Sequence, residues 1–451
     1  MNPRIAVIGT GYLGATHAAC LAELGFDVLG VDVDPAKVEQ LGRGRPTFYE
    51  PGLADLLARH TASGRLRFTT SPAEAAQFAD VHFLCVGTPQ RSDGLAADTG
   101  HVVQAVEQLV PHLRRSVVIV GKSTVPVGTA HRVAARAAEL ARPGVEVEVA
   151  WNPEFLREGR AVDDTLRPDR LVFGVCSTEA EKTLRSVYAR QLDQGVPVVV
   201  TDVVTAELVK GSANAFLATK VSFINAVAEL CELTGGDVVA LAEAMGYDGR
   251  IGSRYLNPGL GFGGGCLPKD VRAMTARAGE LGVFHTVTLL REVDAINLRR
   301  RQRVVDLAVE ECGGSVMDRR VGVLGAAFKP CTDDVRDSPA LDVAARLHLQ
   351  GAQVTVYDPR ANSNAAALYP TLGYADHVTA AVRDADLVLH LTEWPEFREL
   401  DPAELLPLVE VPRVVDARHA LDADRWRAAG WTYRALGRPH PSPSRPVQRD
   451  L

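Results

Sequence analysis

The sequence predicts an α/β protein in which two doubly wound parallel-sheet domains are joined by a central helical region with one long helix. Three observations predict it. Short Val/Ile-rich runs alternate with Ala/Leu-rich stretches from residue 4 to about 200. A helical pattern rich in apolar residues then runs from Asp202 to about Leu233. The alternation resumes at Val321.

The first strands are read at Ile5–Ile8, Val28–Val31, Val81–Val86, Val117–Val120, Val147–Ala150 and Val196–Val200. Unbroken apolar runs of this length, separated by helices, indicate parallel strands buried on both faces. Thr201 or Asp202 caps the long helix and Gly235-Gly236 closes it. Leu208, Val209, Phe216, Leu217, Val221, Phe223, Ile224, Val227 and Leu230 occupy nearly every face. That distribution predicts a helix buried all round, at a domain junction or subunit interface. More helix follows to about Glu311. A second block runs through Val321–Gly325, Val354–Tyr357, Leu387–Leu391 and Val414-Val415, and Tyr357-Asp358-Pro359 echoes Val33-Asp34-Pro35. The expected division is 1–200, 201–311 and 312–437, with 438–451, proline- and arginine-rich, as a disordered tail.

Composition excludes some functions. The chain has 451 residues, 46% hydrophobic and 23% charged, with a formal net charge of -7. Such a balance argues against nucleic-acid or membrane-surface binding. No basic leader with a cleavage site is visible, and no run approaches the roughly 18 to 20 apolar residues of a membrane span. The seven cysteines are scattered, with no C-x-x-C pair. Reduced thiols in a cytoplasm, without a disulfide frame or metal site, are the simplest expectation.

Gly9-Thr10-Gly11-Tyr12-Leu13-Gly14 fits G-x-G-x-x-G between a strand and a helix, and Asp32 ends the second strand 18 residues after Gly14. This context makes the first domain Rossmann-like. Gly9 permits the tight turn, Gly11 lets backbone approach a pyrophosphate, and Gly14 allows close helix packing. Asp32 is expected to accept hydrogen bonds from a ribose diol and to repel a 2′-phosphate, favouring NAD over NADP. Its bland alternative is a turn cap. Lys37 falls near the adenosine end or is simply solvated. Val86, Thr88, Pro89 and Thr124 lie in loops at the carboxyl ends of strands, where ligands bind in this architecture.

Chemistry concentrates in five segments. In Gly261-Phe262-Gly263-Gly264-Gly265-Cys266-Leu267-Pro268-Lys269-Asp270, four glycines leave one thiol approachable. A cation beside a thiol favours the nucleophilic thiolate, and a nearby carboxylate can activate water. Asn152-Pro153-Glu154-Phe155-Leu156-Arg157-Glu158 follows a strand, and Glu154 beside Phe155 and Leu156 suits acid/base work; the alternative is two acids at a helix start. Lys210 and Asn214, four apart on the long helix, share a face and can stabilise an oxyanion, unless the lysine snorkels to water. Arg250 and Arg254 can clamp phosphates, and Lys329 can meet a nucleotide diphosphate in the last domain, where the glycine fingerprint is absent.

Together these runs, with Tyr49–Leu53, Lys122–Val127, Gly325–Pro339 and Thr392-Glu393-Trp394-Pro395-Glu396-Phe397, resemble the UDP-glucose/GDP-mannose dehydrogenase family from Ile5 to about Leu421. The last run resembles the branch acting on UDP-glucose. The resemblance implies two successive oxidations of a sugar C6 alcohol to a carboxylate with two NAD molecules. It implies Cys266 as nucleophile for a thiohemiacetal and then a thioester, Glu154 as acid/base, and Thr124 as a holder of water. Lys210 and Asn214 then stabilise the oxyanion and Asp270 assists water. Cofactor contacts are implied for the Gly9–Gly14 run, Asp32, Lys37, Val86, Thr88, Pro89, Thr124, Glu158, Lys269 and Arg336. Substrate contacts are implied for Glu154, Phe155, Leu156, Lys210, Asn214, Tyr255, Asn257, Gly259, Gly263, Phe328, Lys329 and Arg418. Arg250 is implied to reach a neighbouring subunit, and hence a homodimer on the long helix.

Two departures from the family pattern stand out: Gly265 where many relatives carry serine, and Thr47 where relatives often carry an apolar residue. Neither removes a reacting group. GDP-mannose or a UDP-N-acetylhexosamine is the alternative substrate, and a sensor without chemistry is the alternative of another class.

Overall fold

The computed structural model describes residues 3–439, so most of the expected disordered tail, 440–451, lies outside the described residues. The chain forms two compact units, Met1–Asn214 with Lys269–Phe284, and Ala215–Pro268 with His285–Leu451.

The first unit is built on an eight-stranded sheet in the order β3-β2-β1-β4-β5-β6-β7-β8. Its strands are β1 (Ile5–Ile8), β2 (Val28–Val31), β3 (Leu66–Thr69), β4 (Val81–Leu84), β5 (Val117–Gly121), β6 (Val147–Trp151), β7 (Leu171–Gly174) and β8 (Val198–Thr201). β1, β2, β4 and β5 are buried along nearly their whole length, as strands covered on both faces must be. Two strands were not anticipated. β3 alternates apolar and exposed residues on the sheet edge, and β7 is only four residues long beside Arg170. The all-parallel expectation also fails at one seam, because β7 pairs antiparallel with β6 through Trp151 and Gly174.

In the second unit a six-stranded, wholly parallel sheet has the order β11-β10-β9-β12-β13-β14. The strands are β9 (Arg320–Leu324), β10 (Gln353–Tyr357), β11 (Gly373–Tyr374), β12 (Leu387–His390), β13 (Arg413–Asp416) and β14 (Thr432–Ala435). In both sheets the first strand is central and the chain reverses direction beside it. The crevice outside the strands' carboxyl ends at that reversal is where such sheets take ligands.

The long helix spans Val203–Thr234, and Asp202 caps it by accepting the Thr205 N–H at 2.8 Å. It is not buried all round. Phe216, Phe223 and Leu230 are 67%, 51% and 61% exposed. Their spacing of seven residues puts them on one face. Helices Leu267–Glu280 and Phe284–Glu311 follow the glycine loop. Among the described residues no helix is long and apolar enough to cross a membrane.

Candidate active site

In the first unit the glycine fingerprint has the geometry its sequence requires. Gly9 adopts φ 88°, and a Cβ there would stand 2.8 Å from Val86 Cα. A Cβ on Gly14 would stand 1.8 Å from Gly9 O, so that glycine is needed for packing. Gly11 is different, since a Cβ there would meet nothing within 4 Å. The protein's own packing does not require that glycine, whereas close approach of a pyrophosphate does. Gly11 also precedes helix Tyr12–Glu23 without any side-chain cap, which leaves first-turn N–H groups for phosphate oxygens.

A cavity of about 260 Å³ opens beside Gly9, Gly11, Asp32, Lys37 and Val86. Asp32 already accepts the Thr10 N–H at 2.8 Å and the Thr10 hydroxyl at 2.9 Å, with Lys37 Nζ 3.2 Å away. It therefore serves the turn as well as facing the cavity, and Lys37 is tied to it rather than free in solvent. Burial pushes the Asp32 carboxyl up, but these donors outweigh it and hold the group below its ordinary value. Leu13 packs on the core. The Tyr12 hydroxyl donates to the buried Glu50, which also accepts the N–H groups of Gly159 at 2.6 Å and Ala161 at 2.7 Å. Glu50 thereby fixes the turn after Glu158. These residues fit a dinucleotide.

Deeper in the same unit lies a polar cluster. Lys210 Nζ stands 3.0 Å from Glu154 Oε1, with both side chains nearly buried. The snorkelling alternative for Lys210 is therefore wrong. Four residues along the helix, Asn214 Nδ2 donates to Asp270 Oδ2 at 2.6 Å. The other Asp270 oxygen accepts from Lys269 Nζ at 2.6 Å, and Lys269 lies 3.4 Å from the Thr88 hydroxyl. Thr88 in turn donates to the Thr124 carbonyl at 2.7 Å. The Leu156 N–H donates to Glu154 Oε2 at 2.7 Å, so Glu154 has polar partners as well as its apolar neighbours. Phe155 takes the Arg170 guanidinium over its ring at 3.8 Å. The structure thus joins Glu154 with Lys210, and Asn214 with Asp270, Lys269, Thr88 and Thr124. A larger cavity of about 460 Å³ is lined by Arg91, Arg132 and Arg277 and, of the runs singled out from the sequence, meets only Pro126 and Val127.

In the second unit Cys266 is exposed and immediately precedes helix Leu267–Glu280. A helix N-terminus favours the thiolate. The glycines ahead of it have a structural reason as well as a chemical one. A Cβ on Gly263, Gly264 or Gly265 would meet Asp337 O at 2.3 Å, the Phe328 ring at 2.7 Å or Arg336 Cζ at 2.4 Å. Phe328 and Arg336 are thereby brought against the cysteine loop, and Lys329 Nζ lies 5.6 Å from the Phe328 ring centroid. Arg418 Nη1 donates to Gly261 O at 2.8 Å. Tyr255 has φ 61° and Asn257 is exposed in the segment leading to the loop. Arg250 is not drawn into this loop: its side chain is 90% exposed and pairs with Asp248 at 2.6 Å.

Several supporting residues escaped sequence reasoning. Asn225 Oδ1 accepts the Gly259 N–H at 2.8 Å, and Asn297 brackets Phe262 by accepting its N–H and donating to its carbonyl. Lys220 Nζ gathers the carbonyls of Ile251, Gly252 and Arg254 at 2.6 to 3.1 Å. Glu207 accepts the N–H groups of Gly128 and Ala130. Glu207, Lys220 and Asn225 lie on the same long helix as Lys210 and Asn214, where a polar residue among apolar ones was the available signal. Asp358 explains the missing second fingerprint. Its Oδ2 accepts the N–H groups of Ala326 and Ala327 and the Trp394 indole N–H at 2.8 to 3.0 Å, so it builds the Phe328–Lys329 turn and is not open to a ribose.

Three domain models of the UDP-glucose/GDP-mannose dehydrogenase family match the chain: the NAD binding domain over 3–192, the central domain over 204–299 and the UDP binding domain over 322–423. The chain is 42% identical to UDP-glucose 6-dehydrogenase of Pseudomonas aeruginosa over 449 residues, covering 97% of this chain and 98% of that protein. It is 39% identical to UDP-glucose 6-dehydrogenase YwqF of Bacillus subtilis, covering 98% and 100%. The structure of a UDP-glucose dehydrogenase from the archaeon Pyrobaculum islandicum superposes with a TM-score of 0.90 at 39% identity, covering 97% of this chain and 98% of that one.

Proposed function

This chain belongs to the UDP-glucose/GDP-mannose dehydrogenase family and is an NAD-dependent oxidoreductase, and from that premise we propose that it oxidises UDP-glucose at C6 to UDP-glucuronate. The observation that carries the reading is the pairing of Lys210 with Glu154 and of Asn214 with Asp270, with Lys210 and Asn214 four residues apart on one face of the long helix. Burying four such groups costs stability unless they are paired, and a fold alone has no need of them.

The fingerprint loop, Asp32, Thr88 and Glu158 hold NAD, which when bound accepts a hydride in each of two oxidations. Glu154 takes and returns the proton of the reacting oxygen. Lys210 and Asn214 stabilise charge on that oxygen, strongly because they are shielded from water. The Cys266 sulfur adds to the aldehyde carbon, giving a thiohemiacetal, and oxidation of that adduct leaves a thioester. Water then displaces the sulfur, with Asp270 as the carboxylate that draws its proton. Phe328, Lys329 and Arg418 hold the UDP end. We divide these tasks among 1–200, 201–311 and 312–437, and place the reaction in the cytoplasm, in keeping with the scattered cysteines. The exposed Phe216, Phe223 and Leu230 face supports a homodimer, and exposed Arg250 is available to a partner subunit.

The test is a panel of nucleotide sugars compared by kcat/KM, with NADH counted per sugar. Two NADH per UDP-glucose is expected. One NADH with free aldehyde accumulating refutes the thioester route, and a preference of more than about tenfold for GDP-mannose overturns the substrate.

A further inference from the structure

The last domain carries a buried hydrogen-bonded network that the chemistry above does not use. His390 ends β12 and Asp416 ends β13, in direct register on neighbouring strands. His390 Nδ1 lies 2.8 Å from Asp416 Oδ1, and both side chains are completely buried. A buried polar pair is weak evidence for stability, since apolar residues of similar volume often serve the core as well. Its position is the informative part. Both residues stand at the carboxyl ends of parallel strands, the edge of such a sheet that takes ligands.

Asp416 spends its remaining capacity on the turn that follows it. It accepts the N–H groups of Arg418, Ala420 and Leu421, each at 2.9 Å, and the Tyr433 hydroxyl at 2.9 Å. The turn needs this support, because His419 has φ 53°, in the left-handed region that non-glycine residues seldom adopt. Within that turn Arg418 donates from Nε to Leu391 O at 2.9 Å and from Nη1 to Gly261 O at 2.8 Å. Glu393 Oε2 stands 3.4 Å from the same Nε, and the third nitrogen, Nη2, is buried and has no hydrogen-bond partner among the described residues. Beside it, Ala417 O accepts the Leu260 N–H at 2.9 Å, and a Cβ on Gly259 would stand 2.7 Å from that carbonyl. The turn is therefore stitched to the strap that leads into the cysteine loop.

We propose that His390, Asp416 and Tyr433 are positioning residues that act through Arg418: they fix its guanidinium for the nucleoside-diphosphate end of the substrate while it grips the strap at Gly261. None of the three need touch ligand. His390 orients the carboxylate, Asp416 sets the turn, and Tyr433 closes the second carboxylate oxygen. The inference rests on reading the second unit as the nucleotide-sugar site.

The test uses full-length Tyr433→Phe, His390→Gln and Asp416→Asn proteins. Steady-state kinetics with UDP-glucose and NAD and calorimetric titration with UDP are the readouts. The expected result for Asp416→Asn is a rise of about tenfold or more in KM for UDP-glucose and a matching loss of UDP affinity, with KM for NAD within about twofold. Tyr433→Phe, which keeps the ring, shifts the same constants in the same direction by less. In an Arg418→Ala background the added effect of Asp416→Asn disappears, because the network works through that side chain. If melting temperature falls while both KM values stay or rise together, the network is only structural and the inference is wrong. Should Asp416→Asn not fold, the Tyr433→Phe and His390→Gln proteins decide by the same KM split. A wild type that binds neither UDP nor UDP-glucose overturns the nucleotide-sugar reading and this inference together, whereas equal binding by wild type and variants overturns only this one.

Discussion

Lys210 and Glu154 meet at 3.0 Å with side chains only 6% and 11% exposed. Each neutralises a charge that the other's surroundings would otherwise oppose. Removing either partner strands the other, at a cost of about 3–5 kcal/mol for a fully buried pair. Lys210→Met and Glu154→Gln are each expected to lower kcat by roughly 10²–10⁴-fold, the range for losing a positioned acid/base or oxyanion donor. Both should also melt below wild type. The double variant should melt above at least one single variant, since it leaves no stranded charge. A calorimetric melt of the four proteins checks the second point independently of activity.

Cys266 supplies the next test. Serine keeps the shape but does not offer a nucleophile of comparable ionisation near neutral pH. Cys266→Ser should reduce steady-state turnover by on the order of 10³-fold or more, with at most the first NADH formed per active site. Rapid-mixing absorbance of NADH with UDP-glucose in excess measures both. Normal release of two NADH by the serine variant would remove sulfur from the mechanism.

How much of this was legible beforehand follows from where each signal lies in the chain. The dinucleotide loop, the Cys266 run and the Lys210–Asn214 pair were readable because their spacing is local and the physics is short-ranged. β7 is no shorter than β1 or β2, but its antiparallel pairing with β6 through Trp151 and Gly174 has no counterpart in the sequence pattern. Asn225 and Asn297 were missed for another reason: each meets a loop 34 or 35 residues away, and nothing in their own neighbourhood announces it. On sequence alone the glycines before Cys266 make room for a ligand. Their Cβ positions show that Phe328, Arg336 and Asp337, far along the chain, occupy much of that room.

Gly265 turns that last point into a prediction. A Cβ there would fall 2.4 Å from Arg336 Cζ, so Gly265→Ser must push the guanidinium aside. The obstacle is the tip of a flexible side chain, whose bonds to Asp334 can re-form elsewhere, so stability should change by no more than about 0.5 kcal/mol. If Arg336 contacts the cofactor, KM for NAD should rise by roughly threefold or more while UDP affinity is kept. Titrations with each ligand separate the two effects.

The exposed stripe on the long helix is a second testable surface. Phe216, Phe223 and Leu230 recur every seven residues and present aromatic and aliphatic surface where a monomer would keep polar groups. Phe223→Asp places a charge at the middle of that stripe. In a homodimer this charge is buried without a partner, and the light-scattering mass should fall by half. An unchanged mass would move the interface elsewhere.

Lys122 gives the pH dependence. It is only 6% exposed, lies 3.2 Å from the Tyr188 hydroxyl and donates at 3.0 Å to the Oδ1 of Asn152, the residue two positions before Glu154. Burial, opposed by Cys85 and Glu154, lowers its pKa from 10.5 to about 8. Between those values the unfolded chain holds a proton that the folded protein has released. Stability therefore rises with pH across the window from about 8 to 10.5, and below it the fold carries the full cost of a buried ammonium. Lys122→Met lacks this term. The stability of wild type relative to Lys122→Met should accordingly improve by up to about 3 kcal/mol as pH increases through that window. Urea unfolding of the two proteins at pH 7.5 and at a pH near 10 measures the difference. A constant difference would mean that Lys122 titrates at its ordinary value, and that the hold on Asn152 does not depend on its charge.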